Sequence, residues 1–101
     1  MAKTVNITDK LEFEANPILE IGTLEVEVNA DAETMLRLLG IFAENGELEA
    51  IGKAMKLLFK PGDMEAICNL KRNGEKLSAR SLATIVQETI NLVMGEFEGE
   101  Q

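Results

Sequence analysis

The sequence predicts an α+β fold: an N-terminal antiparallel β-hairpin, with a possible third strand, followed by about four helices. Three observations carry this. Residues 18–28 alternate apolar and acidic side chains, the period-two pattern of a half-buried strand pair. After Asn29 the apolar residues recur every three or four positions, which is a helical period. Asn45-Gly46, Pro61-Gly62 and Asn73-Gly74 then cut the helical stretch into segments of ordinary length. A chain of 101 residues supports one domain, so residues 1–101 are read as a single unit with 1–10 and 96–101 as frayed ends.

Each element follows from local chemistry. Ile18-Leu19-Glu20-Ile21 and Leu24-Glu25-Val26-Glu27-Val28 flank Gly22-Thr23, a two-residue turn whose first position needs positive φ. Leu24, Val26 and Val28 line one face, and Glu25 and Glu27 the other. Pro17 lacks an N–H and suits a strand start or an edge. Residues 4–15 either add a third strand or stay extended: Val5 and Ile7 alternate, as do Leu11, Phe13 and Ala15, but Thr8-Asp9-Lys10 interrupts them. Asp31 is the expected N-cap of the first helix, whose stripe is Ala32, Met35, Leu36, Leu39 and Phe42. Asn45-Gly46 ends it through a left-handed backbone. The second helix, 47–60, carries Leu48, Ile51, Met55, Leu58 and Phe59 on one side, with Lys56 and Lys60 at its negative end. Pro61-Gly62 stops it. Asp63 caps a short third helix through Lys71 that buries Met64, Ile67 and Cys68, and Asn73-Gly74 ends that one. Ser78 caps a fourth helix over about 79–97, with Leu82, Ile85, Val86, Ile90, Val93 and Phe97 as its stripe.

Composition narrows the function. The chain has no histidine, the usual general acid/base at neutral pH and the commonest metal ligand. Its one cysteine, Cys68, has no internal disulfide partner and no histidine to deprotonate it. Eighteen acidic residues face ten basic ones, a net charge of −8 that opposes wrapping nucleic acid or lying on an anionic membrane. The charge is uneven. Residues 1–50 hold eleven acids and three bases, whereas Lys53, Lys56, Lys60, Lys71, Arg72, Lys76 and Arg80 crowd one later stretch. Lys71, Arg72, Lys76 and Arg80 have no aromatic neighbours for base stacking. The Glu12/Glu14 and Glu25/Glu27 pairs read as the wet side of strands rather than as a cation site. No phosphate-cradling loop, calcium loop, signal segment or membrane span is present in the pattern, so cytoplasmic residence is expected. No enzyme activity, cofactor or metal is expected.

Apolar residues make up 46% of the chain, more than a domain this small readily hides. Leu38 and Ile41 fall beside the first helix's stripe, and Leu57, Leu92 and Met94 beside the later ones. These five are the candidate protein-binding residues. Four methionines on the helices, Met35, Met55, Met64 and Met94, would let such a surface adapt to its partner.

Three stretches carry a family resemblance: the hairpin Ile18–Val28, the run Lys56-Leu57-Leu58-Phe59-Lys60-Pro61-Gly62-Asp63, and the helix Leu82-Ala83-Thr84-Ile85-Val86-Gln87-Glu88-Thr89-Ile90. In order and character they resemble the tail assembly chaperones of long-tailed phages and prophages of Gram-positive bacteria. The basic Asn69–Gly74 stretch departs from that pattern. The resemblance implies a non-enzymatic chaperone in the bacterial host cytoplasm. It would self-associate, shield the helical tape measure protein and help recruit tail tube subunits. The alternative is an acidic prophage regulator or DNA mimic that uses its N-terminal carboxylates on a basic protein.

Overall fold

A computed structural model of the chain describes residues 2–94. It is an α+β fold in the order β1 (Ile18–Ile21), β2 (Leu24–Glu27), α1 (Ala32–Glu44), α2 (Glu47–Leu58), α3 (Pro61–Cys68), β3 (Lys71–Arg72), β4 (Glu75–Lys76) and α4 (Ala79–Met94). The expected Phe97 and the frayed C-terminal end lie outside the described residues.

The first hairpin forms as its alternation dictates. Ile18 opposes Glu27, Leu19 opposes Val26, Glu20 opposes Glu25 and Ile21 opposes Leu24. Gly22 turns the chain at φ +64, where a side chain would be strained. Leu19, Ile21, Leu24 and Val26 face the helices, and Glu20 and Glu25 face out. Two carboxylates directly across a strand pair repel. Glu20→Lys is therefore expected to raise stability by about 0.2–1 kcal/mol, read as a higher urea midpoint at unchanged slope. Among the described residues no third strand joins this sheet. Residues 2–15 are instead an arm, exposed at every position, with a single 3-10 turn at Thr8–Lys10. The Asn6 Oδ1 accepts from the Thr8 N–H (3.0 Å) and hydroxyl (2.7 Å), which draws the chain out of the extended path there.

Asp31 caps α1 as expected, accepting from the Thr34 N–H at 3.0 Å. The stop at Asn45-Gly46 is real, but its mechanism is not a left-handed backbone. Asn45 is extended (φ −126); its N–H closes the last turn on the Ile41 carbonyl (3.1 Å), and its Nδ2 donates to the same oxygen at 2.8 Å. Gly46, also extended, is already the N-cap of α2. Two extended residues suffice to pack α1 back on α2.

The third helix begins earlier than the sequence reading places it. Lys60, restricted to extended geometry by the following proline, is its N-cap, and Pro61 opens the first turn, where its missing N–H costs nothing. Asp63 is thus a first-turn acid, not the cap. The helix also ends sooner, at Cys68. Asn73 (φ +53) and Gly74 (φ +80) are not a helix stop but the turn of a second hairpin, in which Lys71 opposes Lys76 and Arg72 opposes Glu75. Paired positive φ values at Asn-Gly match the twist of a two-residue hairpin.

The core is aliphatic with one aromatic: Val26, Val28, Leu38, Ala54, Met55, Leu58, Phe59, Ile67 and Val86. Small Ala50 and Ala54, both buried, let α2 pack closely against its neighbours. Asn29 ties the hairpin to α2, its N–H donating to the Leu58 carbonyl (2.8 Å) and its Nδ2 to that of Leu57 (3.0 Å). On α4, Ser78 Oγ accepts from the Ser81 N–H at 3.3 Å as a cap. Buried Thr89 satisfies its hydroxyl on the Ile85 carbonyl at 2.7 Å.

Asn16 fixes where the arm meets the body. Its Nδ2 donates to Glu27 Oε2 (2.9 Å) and its Oδ1 accepts from the Ala30 N–H (3.1 Å). Lys60 Nζ lies 3.6 Å from the other Glu27 oxygen. The Asn16 amide, and after it the Lys60 charge, hold the Glu27 carboxyl below its ordinary value of 4.5. The Thr34 side chain and N–H do the same for Asp31, below 3.8. A depressed carboxyl contributes stability that is present above its unfolded value and is lost as pH falls through the lower folded one. Melting temperature is expected to fall on acidification below about pH 4.5. Asn16→Ala should blunt that acid sensitivity as well as lower the neutral-pH value.

Candidate protein-binding surface

The exposed apolar surface begins with α1, which carries two apolar stripes side by side, their centres about 130° apart around the helix. Helical spacing places Met35, Leu38 and Ile41 on one side and Ala32, Leu36, Leu39 and Ala43 on the other. The first set packs inward: Leu38 is 4% exposed and Met35 lies against the core. The second is bare, with Leu36 70% and Leu39 68% exposed. Its spacing of four, three and four residues is that of a coiled-coil seam. The charges of α1 sit together on one flank, where Arg37 Nη2 pairs with Glu33 Oε2 at 2.7 Å and Glu44 follows two turns on. On the other flank is half-exposed Phe42, and Leu48, at the start of α2, is 86% exposed. The apolar arc of α1 is thus wider than the side that its neighbours cover, and its outer part is left open.

The sequence reading turned α1 over. It put Leu36, Leu39 and Phe42 on the packed stripe and Leu38 and Ile41 beside it. Leu38 is a core residue and is not available to a partner; Ile41 is half-buried. Leu57 is also half-buried and packs against the core. Leu92 and Met94 are outward, at 43% and 46% exposure. Leu92 shares its face with exposed Glu88 and Thr84, so it is an isolated apolar residue rather than part of a strip. Leu48, expected to pack, is exposed because Ala50, Ala54 and Leu58 form the inward side of α2. The signal that could have revealed the α1 surface was the second heptad-spaced set, Ala32-Leu36-Leu39-Ala43, running beside the first.

Cys68 is exposed, a correction to its expected place in the core. Its neighbour Ile67 takes the fully buried position, and one step of a helix turns the next side chain away. Among the described residues, no group of three or more acidic or cysteine side chains is placed to hold a metal, and every buried side-chain polar atom has a partner. No described helix is long and apolar enough to cross a membrane.

Comparisons with protein-family models, with curated proteins and with solved structures give no match to this chain.

Proposed function

We propose that the protein is a non-enzymatic chaperone that binds an apolar-striped helix of another protein along the outer face of α1. The observation that carries this is the bare seam of Leu36 and Leu39, with Phe42 and Leu48 nearby. Covering such a face requires a partner whose own apolar stripe repeats at helical spacing. The net charge of −8 keeps a complex of that kind in solution. With the resemblance noted above, the client is the tape measure protein of a long-tailed phage, and the recruited protein is its tail tube subunit. Self-association and action in the bacterial host cytoplasm belong to the same reading.

Co-expression tests it. A helix-rich tape measure protein should move from the insoluble to the soluble fraction when this chain is present. An unchanged soluble fraction would sink the proposal. A very long helix-rich reading frame beside the gene would support it.

The outward Glu20 and Glu25, directly opposed on the hairpin, support a second reading, in which an acidic face binds a basic protein. The two differ in salt response. A complex held by apolar burial persists at high salt, whereas one held by exposed carboxylates dissociates.

A further inference from the structure

An open groove of about 730 Å³ lies where the tip of the first hairpin meets the second. Ile21, Leu70 and Leu77 supply its apolar lining; Lys71, Arg72 and Lys76 are its basic residues, and Glu75, opposite Arg72, is its one acid. Lys71 and Lys76 are directly opposed in the β3–β4 register, a like-charge pair that destabilises the hairpin unless an anion approaches. None of these three cations forms an ion pair among the described residues.

The same chain carries a segment of matching chemistry. Leu11-Glu12-Phe13-Glu14-Ala15 alternates apolar and acidic side chains, and every one of these residues is exposed among the described residues. Phe13 is 81% and Leu11 52% exposed. As a strand it would put Leu11 and Phe13 on one face, and Glu12 and Glu14 on the other about 7 Å apart. The arm joins the body at Asn16, beside the Ile18 end of β1, and the groove opens at the Ile21–Gly22 end of that strand. The arm therefore leaves from the end of the hairpin remote from the groove.

We propose that residues 11–15 of one copy dock in this groove of a second copy. Leu11 and Phe13 cover Ile21, Leu70 and Leu77, while Glu12 and Glu14 pair with Lys71 and Lys76. Arm and groove are different surfaces, so the contact is head-to-tail and each copy still offers a free arm and a free groove. The contact deepens the self-association of the proposed function, but it needs neither the α1 face nor a client.

Light scattering on the full chain across a concentration series tests this with paired charge reversals. Wild-type mass should rise with concentration, and less so at high salt. Glu12→Lys/Glu14→Lys and Lys71→Glu/Lys76→Glu should each weaken association on the order of tenfold or more. Mixing the two variants should restore it, because each arm then meets a groove of opposite sign. Both pairs are exposed, and circular dichroism checks that each variant is folded. A wild type that stays monomeric, single variants that associate as wild type does, or a mixture of folded variants that fails to associate would each overturn the proposal. Leu36→Lys/Leu39→Lys should leave self-association intact. Its loss in that variant would move the contact to α1 and overturn the arm–groove assignment.

Discussion

Phe59→Ala is expected to destabilise the protein by about 3–5 kcal/mol, the cost of emptying a large aromatic site in a closed core. Phe59 is 1% exposed and is the only buried aromatic among the described residues. It sits at the joint where α2 ends and α3 begins, and its N–H closes α2 on the Met55 carbonyl at 3.1 Å. The residues around it are held by hydrogen bonds: Asn29 occupies the Leu57 carbonyl with its Nδ2 and the Leu58 carbonyl with its N–H. The site cannot collapse freely, which puts the loss toward the upper end. Small domains have only about 5–15 kcal/mol in total, so the variant should be largely unfolded in modest urea. Leu48→Ala is the control. At 86% exposure it should change stability by no more than about 0.5 kcal/mol. Equal urea midpoints for the two variants would contradict the placement of the core.

Leu36→Lys/Leu39→Lys is expected to abolish client binding while leaving the fold intact. Both side chains point to solvent, so lysines meet water at no burial cost and retain helix propensity. In a complex, each leucine buried against a partner helix is worth up to about 1.5–3 kcal/mol. Losing both, with lysine charges in their place, should weaken binding by about a hundredfold or more. Leu38→Ala, two residues from Leu36 and one from Leu39 but 4% exposed, should do the reverse. It should cost about 2–5 kcal/mol of stability and, in whatever fraction remains folded, leave the binding face untouched. Thermal melting and a client pull-down on the same three proteins separate these effects. If the double lysine variant lowers the melting temperature as much as Leu38→Ala, the outer face is packed and the chaperone reading loses its surface.

Much of the fold was legible in the sequence. The β1–β2 hairpin, its Gly22-Thr23 turn, the Asp31 cap, the break at Asn45-Gly46 and the Ser78 start of α4 all rest on interactions within a few residues. Local chemistry alone settles these. Two misreadings were also local. Asn73-Gly74 serves equally as a helix stop or a hairpin turn, and the helix assigned up to Lys71 biased the choice. Pro61 ends one helix and opens the next, and proline carries the same local signal for both roles.

The candidate site was far less legible. Its residues were all visible as apolar positions at helical spacing, yet two of the five singled out, Leu92 and Met94, are clearly exposed and Leu38 is in the core. The cause is specific to α1. Its two apolar stripes have the same period, and its charges lie on one flank between them, so neither stripe is marked as the wet one.

From the chain alone, then, come the α+β class, the order of the first hairpin and the four helices, and an aliphatic, strongly acidic body without histidine. These depend on side-chain type and on spacing along the backbone. The exposure of Leu36 and Leu39, the burial of Leu38, and the meeting of Ile21 with Lys71 and Lys76 around one groove depend on how separate elements pack. A helix with two apolar faces can satisfy its neighbours with either. Here the packing of α1 on α2 resolves the choice, because the rotation of a helix is set by the surface it packs against and not by its own period.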